Sequence, residues 1–230
     1  MSEIAPPDAT AAYRPTPRTV PTRARERAAY DRELVHAILD EAYVCHLGFV
    51  RDGAPVVLPT LYGRVDERLY VHGSTGSRPL RMAGGRADSG DPGLAVCLTV
   101  THVDGLVLAR SAFHHSINYR SVVVHGLARQ VTDADERRAA LDAIVDHVVP
   151  GRSYDSRPAN DRELAATAVL RLDLDEVSAK VRTGGPNDDA EDLGLPHWAG
   201  VVPLAHGYGA PVPADDLGPS IALPDYLSVL

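Results

Sequence analysis

Short β-type runs joined by very tight turns are the feature that most restricts how this chain folds. β-Branched and aromatic residues recur in "YVCHLGFV", "VVLPTLYGRV", "LYVHG", "LAVCLTVTHV", "LVLARSAF" and "RSVVVHGLARQV". Asp52-Gly53 separates the first two runs, and two-residue connections of this kind join neighbouring antiparallel strands. The pattern predicts strands in meander order, with a further hairpin at Asp104-Gly105.

Two helical stretches interrupt the strands without alternating with them. Apolar residues recur at helical spacing from Tyr30, with Asp31 placed to cap the first turn. A second helix is predicted to open at Thr132, which Asp133 and Asp135 follow, and to stop at Pro150-Gly151. Because a doubly wound sheet needs a helix between most strands, the pattern favours a mainly β fold. We expect an antiparallel β-barrel of about seven strands with peripheral helices.

The chain is long enough for one substantial domain, and its ends differ from its middle. The first 22 residues hold five of the 18 prolines and little apolar periodicity, which predicts a flexible arm over residues 1–22. The predicted domain covers residues 23–204. From Gly184 onward the composition predicts mostly coil, and residues 205–230 form a C-terminal tail.

Charge and hydropathy exclude several classes of protein. A net charge of −8 argues against a protein that neutralises nucleic-acid phosphates. No apolar run approaches the ~20 residues of a membrane span, and "MSEIAPPDAT" lacks the order of a signal peptide, so a cytoplasmic location is expected. Cys45 and Cys97 lie far apart in strand-like runs, which favours reduced thiols over a disulfide.

Residues 70–81, "YVHGSTGSRPLR", combine glycines, hydroxyl side chains and two arginines directly after an apolar run. Backbone N–H groups of a Gly-rich turn, together with hydroxyls and a guanidinium, suit a phosphate monoester. The segment matches neither G-x-x-x-x-G-K-[ST] nor G-x-G-x-x-G. On composition alone, a plain turn with solvated arginines is the simpler interpretation.

Four segments in order carry a resemblance to a known family: "LPTLYGRVDERLYVHGSTGSRPLR", "LAVCLTVTHVDGLVLARSAFHHSINYRSVVVHGLAR", "AKVRTGGPNDDAED" and "LPHWAGVVPL". The sequence resembles the FMN-binding split-barrel family related to pyridoxamine 5′-phosphate oxidase, within it the branch of the nitroimidazole reductases. The resemblance covers roughly residues 25–204. It implies a homodimer of six-stranded split barrels that hold FMN at the dimer interface.

The resemblance also implies roles for individual residues. Ser77-Arg78 match the phosphate-binding motif of the family, and residues 71–74 match the segment beside the ribityl chain and flavin ring. The implied cofactor-binding residues are Pro59, Thr60, His72, Gly73, Ser74, Ser77, Arg78, Arg81, Arg120, Ser121 and Trp198. His72 is the catalytic candidate, positioned to orient a substrate or pass a proton; the alternative is a strand-end histidine without chemistry. Trp198 either stacks over the flavin or fixes the tail to the core.

The sequence departs from the family pattern at two places. Pro79 stands where the family has a lysine, which removes a cation from the phosphate site, and Arg81 is a possible substitute. The ending "LPHWAGVVPL" lacks the substrate motif of the true oxidase. Oxidation of pyridoxamine phosphate is therefore not expected.

The function implied by the resemblance is an FMN-dependent oxidoreductase. It would pass electrons from NADH or NADPH to a small, electron-poor substrate such as a nitroaromatic or quinone. Relatives of this barrel also bind F420 or haem, so a haem protein with His72, His114 or His115 as axial ligand remains an alternative. The other alternative is a sensor that binds its cofactor without turnover. Adjacent histidines on an extended chain point to opposite faces, so no protein metal site is predicted at His114-His115.

Overall fold

Nine antiparallel strands form one sheet in the computed structural model, which describes residues 11–77, 83 and 93–228. The strands are β1 (Ala28–Ala29), β2 (Val44–Arg51), β3 (Ala54–Val65), β4 (Arg68–Ser74), β5 (Leu94–Leu108), β6 (Ser116–Gln130), β7 (Thr167–Asp173), β8 (Glu176–Arg182) and β9 (Gly200–Pro203). The helices are α1 (Arg32–Glu41), α2 (Ala134–Val148) and α3 (Asp161–Ala166), with short 3-10 turns at Arg25–Arg27, Ala112–His114 and Asp225–Leu227.

The strand order β1-β8-β6-β7-β4-β3-β2-β5-β9, with an added β5–β6 pairing, closes six strands into a barrel. Two strands are shared by both halves of the barrel. β3 pairs with β2 through residues 54–61 and with β4 through residues 62–65. β6 pairs with β5 and β8 along most of its length but with β7 only at Arg129 and Gln130. The predicted mainly β split barrel is confirmed.

The turn predictions have mixed outcomes. Asp52 and Gly53 form the predicted hairpin, with φ values of 50° and 79° that suit a two-residue turn. The predicted hairpin at Asp104-Gly105 is wrong, because β5 runs through these residues and its register with β6 merely shifts at Gly105. A Cβ at Gly105 would lie 3.1 Å from a methyl of Val201 on the adjacent β9, so a larger residue there would require Val201 to shift.

Helix α1 packs its apolar face onto the core of the barrel. The Asp31 side chain accepts a hydrogen bond from the Leu34 amide at 2.8 Å, as the cap prediction requires. Val35, Ile38 and Leu39 are fully buried in the same apolar cluster as the inward-facing strand residues. Apolar burial on this scale is the main stabilising contribution to a barrel.

Helix α2 packs against the outside of β3 and β4. Asp133 caps it by accepting a hydrogen bond from the Glu136 amide, one residue after the predicted opening at Thr132. Its Ala140 and Ile144 join Tyr70 in a second, smaller apolar cluster. The six-residue α3 was not predicted, since so short a helix shows no period; it begins with a capping box between Asn160 and Glu163. These two helices form the walls of the groove described below.

The chain ends differ from expectation. Within the predicted flexible arm, residues 11–22 pack on the domain, because Tyr13 is only 3% exposed and its hydroxyl donates to Glu67 at 2.8 Å. Thr19 is equally buried at 3% exposed, so side chains of this proline-rich segment contribute to the packing of the domain. The coil predicted from Gly184 contains β9. In the described part of the chain, no helix is long and apolar enough to cross a membrane.

Candidate functional site

The end of β4 brings together several of the residues predicted to bind a cofactor. His72, Gly73 and Ser74 pair with β7, and Ser74 lies opposite Thr167. The Ser77 amide donates to the Ser74 carbonyl at 2.7 Å, which closes a tight turn over residues 74–77. The Ser74 Oγ accepts from the Gly76 amide at 3.2 Å. Arg78, Pro79 and Arg81 lie outside the described residues.

This turn is fixed to the neighbouring helix. The Thr75 amide donates to the Ala166 carbonyl at 2.9 Å, at the last residue of α3. The backbone of the turn is therefore held at two points, by Ser74 and by Ala166. A turn held in this way keeps its hydroxyl groups in place before any ligand arrives.

His72 lies on the outward face of β4, in a groove beneath α2. The groove has a volume of about 350 Å³ and lies between α2, the residues that follow it, and α3. Leu141, Ile144 and Val145 supply an apolar wall, whereas Arg157 and Glu163 supply a charged rim. The histidine thus faces a cleft with one apolar and one polar side, which is the usual composition of a small-molecule site.

The chemistry of His72 follows from its surroundings. Partial burial lowers the pKa of its imidazole, because burial disfavours the charged form. No group in the described ranges forms a hydrogen bond with the ring. A neutral imidazole with an unused ring nitrogen accepts a proton, forms a hydrogen bond or ligates a metal. The structure therefore leaves His72 chemically available.

The two other histidines considered as axial ligands are already engaged. His115 Nδ1 accepts a hydrogen bond from the Ala109 amide at 2.9 Å, so its proton resides on the other ring nitrogen. His114 Nε2 lies 3.1 Å from a carboxylate oxygen of Asp189. Of the three candidates, His72 is the one whose ring has no partner among the residues described. No cluster of three or more metal-ligating side chains occurs in the same part of the chain.

Arg120 lies in an ion-pair cluster. Its guanidinium donates to Glu41 at the end of α1 at 2.8 Å and to Asp104 on β5 at 3.0 Å. Hydrogen bonding from Arg120 lowers the pKa of both carboxyl groups. The cluster fixes α1 to the two longest strands of the barrel.

Ser121 faces the opposite side of β6 from Arg120. Its hydroxyl donates to the Lys180 carbonyl at 3.3 Å, and it lines a cavity of about 190 Å³ together with Lys180 and Arg18. Neither Arg120 nor Ser121 contacts residues 74–77. β6 meets the half-sheet that contains β4 only at Arg129 and Gln130, nine residues beyond Arg120. One chain does not bring these predicted residues into a single site.

The remaining predicted residues are spread over the surface. Pro59 and Thr60 belong to the part of β3 that pairs with β2, opposite His46 and Cys45. Trp198 is 65% exposed and folds over the start of β9, where a Cβ on Gly200 would lie 2.9 Å from the indole ring. Trp198 therefore rests on its own β9. Sequence reasoning missed the groove residues of α2 and α3, because no motif marks them.

Comparisons with known proteins agree with the fold. The family model described as pyridoxamine 5′-phosphate oxidase matches residues 31–181. The chain belongs to this family. The flavocytochrome Anf3 from Azotobacter vinelandii is 37% identical with a TM-score of 0.85, and the match covers 94% of this chain and 98% of that one. No curated protein matches the chain.

Two further solved structures are similar. The FAD and heme binding protein from Mycobacterium smegmatis is 38% identical with a TM-score of 0.81, over 88% of this chain and 96% of that chain. A proposed 5-nitroimidazole antibiotic resistance protein from Bacteroides thetaiotaomicron is 23% identical with a TM-score of 0.53, over 67% and 86% of the two chains, and shares the fold. The family resemblance seen in the sequence is thereby confirmed.

Proposed function

We propose that this protein is a flavin-dependent oxidoreductase that also binds haem, with His72 as an axial ligand of the haem iron. The observation that carries the proposal is the position of His72, whose imidazole lines the groove and has no hydrogen-bond partner among the described residues. Two relatives more than one-third identical over nearly the whole chain support it, since their names state flavin or haem binding. The mycobacterial relative favours FAD over the FMN expected from the sequence.

The groove fits the chemical character of a haem. Neutral imidazole is the form that binds iron, and the lowered pKa of His72 maintains it. Leu141 and Val145 provide apolar surface for a porphyrin. Arg157, which forms a 2.7 Å ion pair with Glu163, offers a cation for a propionate at the rim. When bound, haem supplies one-electron chemistry and flavin supplies hydride and one-electron chemistry.

The turn at residues 74–77 is the proposed site of the flavin phosphate. Ser74 and Ser77 contribute hydroxyls, and the bond from Thr75 to Ala166 holds the backbone in place. Only Gly73 separates His72 from this turn along the chain, so the two cofactor sites would be adjacent. NADH or NADPH is the proposed electron donor, and a small electron-poor molecule the proposed acceptor.

A homodimer is part of the proposal. The outward faces of β2 and β3 expose Val44, Val50, Val57 and Leu61, with Val57 61% accessible. Val44 lies directly opposite Leu61 in the strand register, so these side chains form a continuous apolar surface. Exposed apolar patches of this kind commonly mark protein interfaces. A second copy would also allow the Arg120–Ser121 region of one protomer to approach the 74–77 turn of the other.

The test is the absorption spectrum of the purified protein, after incubation with haemin and FAD, before and after anaerobic NADH or NADPH. We expect a Soret band and a flavin band that bleaches. His72→Ala is expected to lose the Soret band and keep the flavin band, with His114→Ala as the matched control. External imidazole is expected to restore haem binding to His72→Gly.

Other results would change the proposal in defined ways. Full haem binding by His72→Ala would remove the axial-ligand assignment. A wild-type protein that takes up flavin but no haem would reduce the function to that of a flavin enzyme. Bound cofactors that NADH and NADPH fail to reduce would favour a sensor or store over an oxidoreductase.

A further inference from the structure

A buried arginine at the end of β8 lacks a counter-charge in the part of the chain described. Arg182 is 7% exposed. Its guanidinium donates to the Asn118 side chain, to the Gly184 carbonyl at 3.4 Å and to the Gly185 carbonyl at 3.1 Å. All three acceptors are uncharged, and no carboxylate of the described residues lies within 4.0 Å of it.

Neutral acceptors take three hydrogen bonds from the five N–H donors of Arg182 and leave its charge uncancelled. A buried ion without a partner of opposite charge is unfavourable, because little water remains to solvate it. Other partly buried arginines pair with carboxylates, as Arg110 does with Asp188 at 2.8 Å and Arg120 with Asp104. Arg182 therefore stands apart, and a negatively charged ligand would supply the missing partner.

Arg182 lines a cavity of about 390 Å³ that contains further groups suited to an anion. Arg27 lines the same cavity, together with Gly184 and Asn187. The amides of Gly184 and Asn187 donate to no acceptor in the described ranges. Gly184 has a φ of 95°, and a Cβ added to it would meet nothing within 4 Å, so the backbone there borders open space. Two guanidinium groups beside free backbone amides resemble known anion sites.

We infer that this cavity, which we call the β8-end pocket, binds a phosphate group, either free or as part of a nucleotide cofactor. The pocket shares no residue with the His72 groove. Glu26 also lines it and lies 3.6 Å from the Arg27 Nε, with a side chain that is 72% exposed. This carboxylate opposes an incoming anion, so it limits the affinity of the pocket.

The test is calorimetric titration of inorganic phosphate, and in parallel pyrophosphate, into the purified full-length protein in a phosphate-free buffer. Arg27→Glu is expected to weaken binding roughly tenfold or more, because a charge-assisted hydrogen bond is replaced by repulsion. Arg25→Glu is the matched control, since Arg25 belongs to the same 3-10 turn, is exposed and does not line the pocket. Glu26→Gln is expected to strengthen binding.

Titration of the flavin-bound and the flavin-free protein distinguishes the two sources of phosphate. Binding to both forms indicates a site for free phosphate. Binding to the stripped form alone, with weaker FAD uptake by Arg27→Glu, indicates that the pocket holds the phosphate of the cofactor. Absence of saturable binding to either form, or equal affinity in Arg27→Glu and Arg25→Glu, would overturn the inference. The heat of phosphate binding does not depend on haem, so failure of the haem assignment leaves this result interpretable.

Discussion

Replacement of Gly63 by alanine tests how closely α2 packs against β3. A Cβ at Gly63 would lie 2.8 Å from the amide nitrogen of Ile144 and 2.9 Å from the carbonyl oxygen of Ala143. Both are backbone atoms of α2, so no side-chain rotation relieves the contact. The helix must move outward by roughly 0.6 Å to restore an ordinary contact of 3.4 Å.

We expect the free-energy cost of this displacement to fall within the range found for overpacked cores. Overpacking typically destabilises a protein by about 1–3 kcal/mol. For a chain of this size, each kcal/mol lowers Tm by about 2–4 °C, so Gly63→Ala should melt roughly 2–12 °C below the wild type. Because α2 is a wall of the His72 groove, haem uptake should weaken in the same variant.

Urea unfolding followed by circular dichroism is the assay, with Gly194→Ala as the matched control. A Cβ at Gly194 would meet nothing within 4 Å, so this variant removes a glycine without a clash. The control should be as stable as the wild type or slightly more stable, since alanine restricts the unfolded chain. If Gly63→Ala proved as stable as the control, α2 would not be held against β3 as closely as these distances require.

Two further predictions concern ionisable groups. Arg120→Gln should lower the free energy of unfolding by about 1 kcal/mol at pH 7. Hydrogen bonds from Arg120 lower the pKa of Glu41 and Asp104 in the folded protein. The difference in stability between wild type and variant should therefore shrink as the pH falls from about 5 through those lowered pKa values. A stability difference that does not depend on pH in urea titrations would contradict the ion-pair assignment. Burial raises the pKa of Cys45 to about 12, so a thiol reagent should label it only after unfolding, and Cys45→Ala should match the wild type in native labelling. Rapid labelling of both thiols in the native protein would show that the barrel interior opens readily.

The features predicted correctly from the sequence depend on neighbouring residues. The cap at Asp31 and the hairpin at Asp52-Gly53 are each defined by three or four consecutive positions, and the second helix begins within two residues of its predicted opening at Thr132. Asp104-Gly105 has the same local chemistry as Asp52-Gly53 but a different outcome. There, the carboxylate pairs with Arg120 and β9 packs beside the glycine, and both partners lie elsewhere in the sequence. Long-range pairing therefore outweighs the local turn preference.

For the candidate site too, only the part that lies in one short segment was predictable from the sequence. His72, Ser74 and Ser77 belong to one short segment, and the structure places them at one end of β4. The groove that surrounds His72 was not predictable, because Leu141 and Arg157 come from distant parts of the chain and match no motif. Arg182 was also missed, since a single arginine in a strand gives no indication that it will be buried without a counter-charge.

The sharing of β3 and β6 between the two halves of the barrel has a consequence for how the protein unfolds. If either half opened, it would remove hydrogen-bond partners from a strand on which the other half also depends. The free energy needed to open one half alone is therefore nearly as large as that needed to open the whole barrel. The slowest-exchanging amides of both halves should accordingly exchange with solvent at a common rate, as a single cooperative folding unit.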